Sequence, residues 1–162
     1  MKFCVFGAGR MGAIHAGNIA ATDRATLGYI VDTNLERANT LANKYGAIAS
    51  IDCKNVLADP SVNAVIIASA TDTHADLIEA SVRANKAIIC EKPIDLSLER
   101  VRTCERAIAG FDKPVMIGFQ RRFDTTHRAV RQAIEQGEIG AVESISITSR
   151  DPSPPPYEYI KT

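Results

Sequence analysis

The stretch of the sequence that most clearly carries chemistry is a glycine-rich turn near its start. Gly7, Gly9 and Gly12 form a G-x-G-x-x-G pattern that directly follows the apolar run 2–6 and directly precedes a helical pattern. The first glycine would allow a tight turn, the second would let the backbone approach a pyrophosphate, and the third would let the helix pack close to the strand. A helix beginning near Arg10 would point its unpaired N–H groups at that pyrophosphate. The turn therefore predicts a dinucleotide site.

A carboxylate at the end of the next strand-like run strengthens this interpretation. Asp32 closes the run 26–32, twenty positions after the last glycine of the turn, where an acidic residue can bind a ribose 2′-hydroxyl. The same charge would repel the 2′-phosphate of NADP, and the two residues that follow supply no cation to offset it. Arg37, on the following helix, is a nearby cation and therefore argues against this preference for NAD. The residues thus favour NAD over NADP. The alternative to a dinucleotide site is an ordinary βα turn.

The composition limits the possible partners. The chain has 162 residues, 46% of them hydrophobic, which is enough for one sizeable core. Lys and Arg together number 19, as do Asp and Glu, so the charge balance predicts no binding to nucleic acid. No run approaches the length needed to span a membrane, and residues 1–6 lead straight into a strand instead of a signal sequence.

The cysteines bear on redox environment and on metal binding. Cys4, Cys53, Cys90 and Cys104 form neither a C-x-x-C motif nor the Cys/His spacing of a metal site. Cys4 and Cys90 lie in apolar strand-like runs, where a reduced thiol behaves as a small hydrophobic side chain. We therefore expect no bound metal, and a reducing cytoplasm is the simplest location.

Strand-like and helical patterns alternate through the first part of the chain. The strand-like runs are 2–6, 26–32, 47–49, 64–68, 87–90 and 114–118, and helical patterns separate them. This alternation, opened by the glycine turn, predicts an α/β fold with a doubly wound parallel sheet of the Rossmann type. In such a sheet ligands bind beyond the carboxyl ends of the strands. The candidate functional residues all follow strand-like runs, so we expect them along one edge of the sheet.

Two details of the predicted helices concern their packing and their ends. In the first helix, Met11, Ile14 and Ile19 are spaced so that they would face the sheet. Before the fourth helix, Thr73 and Asp76 have the spacing of a capping box, in which each side chain would satisfy a free backbone N–H group.

Residues 119–162 have a different character. Asp124 can cap a helix that Gly137 ends, 141–148 alternates like a strand with two unlike faces, and the proline-rich run 151–156 cannot continue a central strand. One helix and one strand cannot form a second core. We therefore predict a dinucleotide-binding domain at 1–118 and the start of an incomplete α+β second domain at 119–162, and we expect the chain to be truncated.

Several motifs give the sequence a family resemblance. The opening segment 6–15, the Ala-Thr-Asp-Thr-His segment 70–74, the Glu-Lys-Pro segment 91–93 and the segment 118–124 resemble those of the Gfo/Idh/MocA oxidoreductases. The segment 149–156 is similar to the inositol 2-dehydrogenase branch of that family. The resemblance covers essentially the whole chain, and Glu-Lys-Pro together with the glycine turn is its most specific pair of motifs.

The resemblance implies a reaction and a set of site residues. It implies an NAD-dependent dehydrogenase that oxidises a secondary hydroxyl of a cyclic polyol (myo-inositol to 2-keto-myo-inositol) or of a sugar. Lys92 matches the lysine that holds the reacting hydroxyl and is the implied catalytic residue, and such a turn is compatible with a cis Lys92–Pro93 bond. The implied substrate-binding residues are Lys92, Arg121, Arg122 and Asp151. The implied cofactor-binding residues are Gly7, Gly9, Arg10, Met11, Gly12, Asp32, Ser69, Ala70, Thr71, Thr73, His74, Glu91 and Lys92.

The sequence departs from the family pattern at its acid–base group. The family's acid–base histidine belongs to a D-x-x-x-H motif beyond the proline-rich stretch, and this sequence contains no such motif. The resemblance also implies a β-sheet domain that closes the pocket and mediates oligomerisation, so a homo-oligomer is expected for the full-length form. We therefore expect these 162 residues to bind cofactor without useful turnover. The alternative function is a non-catalytic dinucleotide-binding module.

Several of these side chains have a purely structural alternative. On position alone Lys92 could equally be a solvated loop lysine, and the flanking Glu-x-Pro context shifts the balance towards function. His15 and His74 are more commonly helix-surface histidines than ligands, and His127 is more commonly a packed histidine than a catalytic one. The two adjacent arginines could be a solvated pair, and the proline-rich run could be a linker.

Overall fold

The structure is a computed structural model that describes residues 1–150 together with 153 and 154. The chain divides into two compact units, Met1–Phe119 (the first unit) and Gln120–Thr162 (the second unit). The roles that the sequence predicts for 1–118 and 119–162 stay predictions. No helix among the described residues is both long enough and apolar enough to cross a membrane.

The first unit is a six-stranded parallel sheet with helices between its strands. The strands are β1 (Lys2–Phe6), β2 (Thr26–Val31), β3 (Ile48–Ser50), β4 (Ala64–Ile67), β5 (Ala87–Cys90) and β6 (Val115–Ile117). The helices are α1 (Arg10–Ala20), α2 (Leu35–Tyr45), α3 (Cys53–Ala58), α4 (His74–Arg83) and α5 (Leu98–Ile108). The strand order is β3-β2-β1-β4-β5-β6, and every pairing is parallel. This is the doubly wound Rossmann arrangement, so the predicted fold class is confirmed.

The central strands are apolar on both faces because successive side chains of a strand point to opposite sides of the sheet. In β1, Val5 belongs to the apolar cluster that includes α1 and α2, whereas Cys4 and Phe6 belong to the cluster that includes α3, α4 and α5. Every residue of β4 is buried, as its continuous apolar run predicts for a strand covered on both faces. The two clusters hold the loops at one edge of the sheet in fixed positions.

The sheet-facing side of α1 is smaller than the sequence suggested. Its buried residues are Gly12, Ala16 and Ile19, whereas Met11 is only partly buried and Ile14 is 47% exposed. The prediction that Met11 and Ile14 face the sheet is therefore wrong in this respect. Small side chains let the helix approach the strands closely, and that close contact excludes the larger side chains from the interface.

The predicted capping box before α4 is also wrong. A 3-10 turn at Thr71–Thr73 precedes the helix, and the Thr73 side chain makes no cap hydrogen bond. Its hydroxyl instead donates to the carbonyl oxygen of Ala70 at 2.7 Å and lies 2.6 Å from the Ser69 hydroxyl. Asp76 pairs with Arg100 of α5. The Thr73 hydroxyl makes its hydrogen bonds within the turn and does not cap the helix.

The second unit contains a 3-10 turn at Gln120–Phe123 and the helix α6 (Thr125–Glu135). Asp124 caps α6, accepting hydrogen bonds from the backbone N–H groups of Thr126 and His127 at 2.9 and 3.0 Å. The predicted strand at 141–148 is wrong, since those residues form no strand. A strand needs a hydrogen-bonding partner, and the described part of this unit supplies none. Of the proline-rich run 151–156, only 153 and 154 lie among the described residues.

Candidate functional site

The glycine turn joins β1 to α1, and two of its glycines are required by space. Gly7 has a φ of +97°, and a Cβ there would lie 2.4 Å from the carbonyl oxygen of Ala68. A Cβ on Gly12 would lie 1.8 Å from the carbonyl oxygen of Gly7. The Gly7 N–H donates to the carbonyl oxygen of Val31 at 2.7 Å, which ties the turn to β2. The turn is therefore packed tightly on its protein side.

Gly9 has the opposite environment, because a Cβ added there would meet nothing within 4 Å. It is the residue that precedes α1, and no side chain caps that helix. The first N–H groups of a helix have no partner inside the helix, and together with the helix dipole they favour an anion. The open side of Gly9 and the uncapped start of α1 therefore fit the phosphates of a dinucleotide.

Asp32, directly after β2, is fixed by the loops around it. Its Oδ2 accepts a hydrogen bond from the Ala8 N–H at 2.7 Å, and its Oδ1 accepts one from the Asn34 N–H at 2.8 Å. The Arg37 guanidinium lies 3.4 Å from Oδ1 with its side chain 59% exposed, whereas the Asp32 side chain is 10% exposed. The carboxylate is thus held in place mainly by backbone donors.

A cleft of about 570 Å³ lies at the carboxyl edge of the sheet, within the range of small-molecule sites. Predicted cofactor residues in its wall are Gly7, Gly9, Asp32, Ser69, Ala70 and Thr73. The sequence did not predict Thr33, Arg37, Ile51, Cys53, Asp72, Asp76 and Leu77 as lining residues. The structure therefore brings the predicted residues after β1, β2 and β4 to one cleft, and it adds a wall from β3 and α3.

The other predicted cofactor residues are not among those that line the cleft. Arg10 is exposed in the first turn of α1, and Gly12 is buried against the glycine turn. Met11 and Thr71 are partly buried. His74 is 2% exposed, so its interpretation as a helix-surface histidine is wrong.

The His74 ring lies between two loops. Its Nδ1 is 2.7 Å from the carbonyl oxygen of Pro93, and its Nε2 is 3.1 Å from the carbonyl oxygen of Ser69. Whether this residue contacts a cofactor stays a prediction. A lone polar residue on an otherwise apolar face of a helix is the sequence pattern that could have indicated the burial of His74.

The Glu-Lys-Pro segment follows β5 and is outside the wall of the cleft. The Lys92–Pro93 peptide bond is cis. Glu91 Oε1 lies 2.8 Å from Nε2 of His15, and the two side chains are 15% and 19% exposed. His15 is thus mostly buried against Glu91, so its surface interpretation is also wrong. Lys92 itself is exposed.

Apart from Lys92, the predicted substrate residues belong to the second unit. Arg121 Nη1 lies 3.3 Å from Nε2 of His127, and the Nδ1 of that histidine lies 2.9 Å from Asp124 Oδ1. Hydrogen bonds from His127 lower the pKa of the Asp124 carboxyl. His127 is half exposed, so the packed-histidine interpretation is wrong. Arg122 is exposed, and Asp151 lies outside the described residues.

Metal-ligating side chains do not cluster in the part of the chain that the structure describes. Those residues include no group of His, Cys, Asp and Glu side chains able to hold a metal ion. All four cysteines are free thiols. The candidate site thus consists of a cleft, the uncapped start of α1, which could hold an anion, and the fixed carboxylate of Asp32. Beyond β5 lies the exposed Lys92.

Comparison with known proteins decides the family. Residues 1–119 match the family model described as "Oxidoreductase family, NAD-binding Rossmann fold", that of the Gfo/Idh/MocA proteins. The chain belongs to the Gfo/Idh/MocA oxidoreductase family. The resemblance drawn from the motifs is thereby confirmed.

Similar members of the Gfo/Idh/MocA family include inositol dehydrogenases. Inositol 2-dehydrogenase of Rhizobium meliloti (strain 1021) is 48% identical over 162 residues, which are 99% of this chain and 48% of that protein. A myo-inositol dehydrogenase structure from Corynebacterium glutamicum ATCC 13032 has a TM-score of 0.92 at 42% identity, covering 99% of this chain and 48% of that chain.

A third relative was solved with ligands. It is scyllo-inositol dehydrogenase from Lactobacillus casei with bound NAD(H) and scyllo-inositol, which has a TM-score of 0.81 at 30% identity. The match covers 86% of this chain and 42% of that chain. This chain spans about half the length of the curated relatives it matches.

Proposed function

We propose that the cleft binds NAD, with the diphosphate over Gly9 at the start of α1 and the adenosine ribose on Asp32. The observation that carries this proposal is the Asp32 carboxylate, fixed 2.7 Å from the Ala8 N–H inside the glycine turn. That contact supports the proposal, because a carboxylate able to accept from a ribose hydroxyl adjoins the turn that is proposed to bind the phosphates. Two parts of one dinucleotide can therefore be bound by neighbouring residues.

The proposed preference for NAD over NADP follows from the charge at Asp32. A 2′-phosphate would bring its negative charge to a carboxylate that backbone donors hold in place. Arg37 is the cation near this position, and Asp32 already engages it at 3.4 Å. Arg37 would have to give up this partner before it could bind the phosphate.

In the whole protein, we expect the reaction to be oxidation of a secondary hydroxyl of a cyclic polyol or sugar, with myo-inositol to 2-keto-myo-inositol as the favoured case. The names of the relatives support this substrate class. A bound nicotinamide ring supplies the hydride acceptor. Lys92 is exposed, and its ammonium would donate a hydrogen bond to the substrate oxygen and stabilise the negative charge that develops there.

The proposal also covers the substrate side of the site and the whole protein. Arg121, Arg122 and Asp151 are proposed to contact the polyol. The residue that removes the hydroxyl proton is not assigned among these 162 residues, which contain no D-x-x-x-H motif. We also propose a homo-oligomer for the full-length form and a cytoplasmic location. The alternative proposal, for these residues alone, is a dinucleotide-binding module built on the cleft after β1, β2 and β4.

Titration with reduced cofactors tests the binding proposal. The chain contains no tryptophan, so NADH and NADPH fluorescence can be recorded without energy transfer from indole. We expect NADH to bind at least about tenfold more tightly than NADPH, which corresponds to roughly 1.4 kcal/mol. Equal affinities, or tighter NADPH binding, would contradict the proposed role of Asp32.

An absorbance assay tests the catalytic part. The chain is incubated with myo-inositol and NAD⁺, and NADH formation is followed at neutral and alkaline pH. We expect cofactor binding without sustained NADH formation. Sustained turnover would show that the acid–base group lies among these residues, and the module interpretation would then be wrong.

A further inference from the structure

Lys92 lies between two residues that are each anchored by a histidine from another element of the fold. Its predecessor Glu91 contacts His15 of α1, and its successor Pro93 contacts His74 at the start of α4. We propose that His15 and His74 are positioning residues that couple the cofactor-binding elements to Lys92. This inference rests on the proposed function, in which Lys92 meets the substrate beside NAD.

The first anchor is a partly buried pair. Glu91 Oε1 and His15 Nε2 are 2.8 Å apart, and both side chains are less than one-fifth exposed. A Cβ at Gly118 would lie 3.3 Å from the Glu91 carboxylate, so the glycine after β6 leaves the room that this carboxylate occupies. His15 comes from the helix whose start is the proposed phosphate site. A change in the position of α1 is therefore transmitted to Glu91.

The second anchor is the buried ring of His74, which is 2% exposed. It lies 2.7 Å from the Pro93 carbonyl oxygen and 3.1 Å from the Ser69 carbonyl oxygen. Carbonyl oxygens only accept hydrogen bonds, and a neutral ring has one N–H donor, so the shorter contact favours a hydrogen bond from Nδ1 to Pro93, with the other edge of the ring packed against the Ser69 carbonyl. Ser69 lines the proposed cofactor cleft. The ring therefore connects the wall of that cleft to the turn after β5.

Lys92 differs from lysines that have a structural role. The ammonium of Lys86 donates to the carbonyl oxygens of Asp59 and Val62, both at 2.8 Å, and Lys113 donates to Asn85 at 2.6 Å. Among the described residues the Lys92 side chain has no hydrogen bond and no ion pair. Its location is thus set by its backbone, which is the part that the two histidines hold from either side.

Lysine labelling tests this coupling on the 162-residue chain. The protein is acetylated with a limiting amine-reactive ester, with and without saturating NAD⁺, and modification of Lys92 is quantified by peptide mass spectrometry. Lys44, exposed on α2, is the internal reference. We expect NAD⁺ to lower the Lys92-to-Lys44 ratio about fivefold, the lower end of ordinary coupling between sites.

Matched variants separate positioning from mere folding. His15→Leu and His74→Phe keep side-chain bulk but lose the hydrogen bonds, and we expect NAD⁺ to change their ratio less than about twofold. His15→Gln and His74→Asn keep one donor near the original nitrogen, and we expect most of the effect to return. Circular dichroism checks the fold. If His74→Phe does not fold, the variants His15→Leu and His15→Gln provide the test, because the His15 side chain is partly exposed.

The outcomes distinguish this inference from the function it rests on. If the parent chain does not bind NADH, the proposed function is wrong, and the coupling proposal, which rests on it, is wrong as well. If the parent binds NADH but His15→Leu and His74→Phe keep the parent's NAD⁺ effect on Lys92, the positioning role is wrong and the binding proposal stands. Loss in these two variants with recovery in His15→Gln and His74→Asn supports the coupling.

Discussion

The carboxylate of Asp32 accepts a hydrogen bond from the backbone N–H of Ala8 at 2.7 Å. This contact joins the residue after β2 to the middle of the glycine turn after β1. In the proposed function Asp32 would therefore have two tasks, because it would offer an acceptor to the ribose and it also holds the turn proposed to bind the diphosphate. Changes at this position should affect both cofactor choice and local stability.

Substitution of Asp32 should separate these tasks. Asp32→Ala removes the charge and the acceptor for Ala8, so we expect NADH affinity to fall at least about tenfold, as for lost hydrogen bonds to a charged group. Asp32→Asn removes the charge but keeps an acceptor for the turn, so its thermal midpoint should fall less. In both variants discrimination against NADPH should weaken, because Arg37 loses its anionic partner. Affinity ratios that match the parent's would contradict this.

Two glycines of the same turn form a matched pair for mutation. A Cβ on Gly12 would lie 1.8 Å from the Gly7 carbonyl oxygen, whereas a Cβ on Gly9 meets nothing within 4 Å. Gly12→Ala should therefore destabilise the fold by about 3 kcal/mol or more. Gly9→Ala should change the free energy of unfolding by less than about 0.5 kcal/mol, yet it should abolish NADH binding because the methyl group occupies the phosphate position.

Urea unfolding and NADH titration of both variants provide the measurement. Normal NADH binding by a stable Gly9→Ala variant would show that the diphosphate does not lie over this residue. Gly46→Ala is a useful comparison, since it also has open space but a positive φ of +68°. Its cost should come from backbone conformation alone, with cofactor binding intact.

Cys53 offers a chemical probe of the cleft. Of the four cysteines, Cys53 is partly exposed and lines the cleft, whereas Cys4, Cys90 and Cys104 are buried. Burial raises the pKa of the Cys90 thiol to about 12 and that of Cys4 further still, so these thiols are unreactive at neutral pH. We expect iodoacetamide to modify Cys53 first in the native chain.

Bound cofactor should protect this thiol. At an NAD⁺ concentration ten times its Kd, labelling of Cys53 should be about tenfold slower, as mass action requires if only the free protein reacts. Cys53→Ser should leave native labelling near zero, and all four thiols should react in urea. The NAD⁺ concentration is one that fully displaces bound NADH. If Cys53 is then labelled at the same rate with and without NAD⁺, the dinucleotide binds elsewhere.

The predictable part of this protein was local in sequence. The glycine turn, the position of Asp32 after β2 and the Asp124 helix cap each depend on a few neighbouring residues, and the alternation of strands and helices implies the sheet. The contact between His15 and Glu91 joins residues 76 positions apart, and no local pattern reports it. Ile51 and Cys53 enter the cleft wall only because β3 pairs with β2.

The failed predictions share a physical cause, which is that local pattern does not decide tertiary surroundings. The alternating residues 141–148 have strand character, yet the described second unit offers no strand for them to pair with. His74 has the polarity of a surface residue, yet its ring lies in the interior with the Pro93 carbonyl oxygen as a hydrogen-bond partner. In both cases the outcome depends on residues outside the local pattern.

Asp59, in the turn after α3, should make the stability of the fold depend on acid pH. Ser61 donates to its Oδ1 from its hydroxyl at 2.7 Å and from its backbone N–H at 2.8 Å, and the Tyr29 hydroxyl donates to Oδ2 at 2.8 Å. These hydrogen bonds lower the pKa of the Asp59 carboxyl from 3.8 to about 2. The folded state therefore favours the carboxylate over its protonated form.

The sign of the pH effect follows from that direction. A carboxyl whose pKa is lower in the folded state contributes stability that is fully present above its unfolded pKa and is lost as the pH falls towards its folded pKa. The difference in thermal midpoint between the parent and Asp59→Asn should therefore be constant from pH 7 to about 5 and shrink between about 4 and 2. Asp23→Asn, at an exposed site, is the control and should show no such convergence. A difference for Asp59→Asn that persists unchanged at pH 2 would mean that these hydrogen bonds do not depend on the charge.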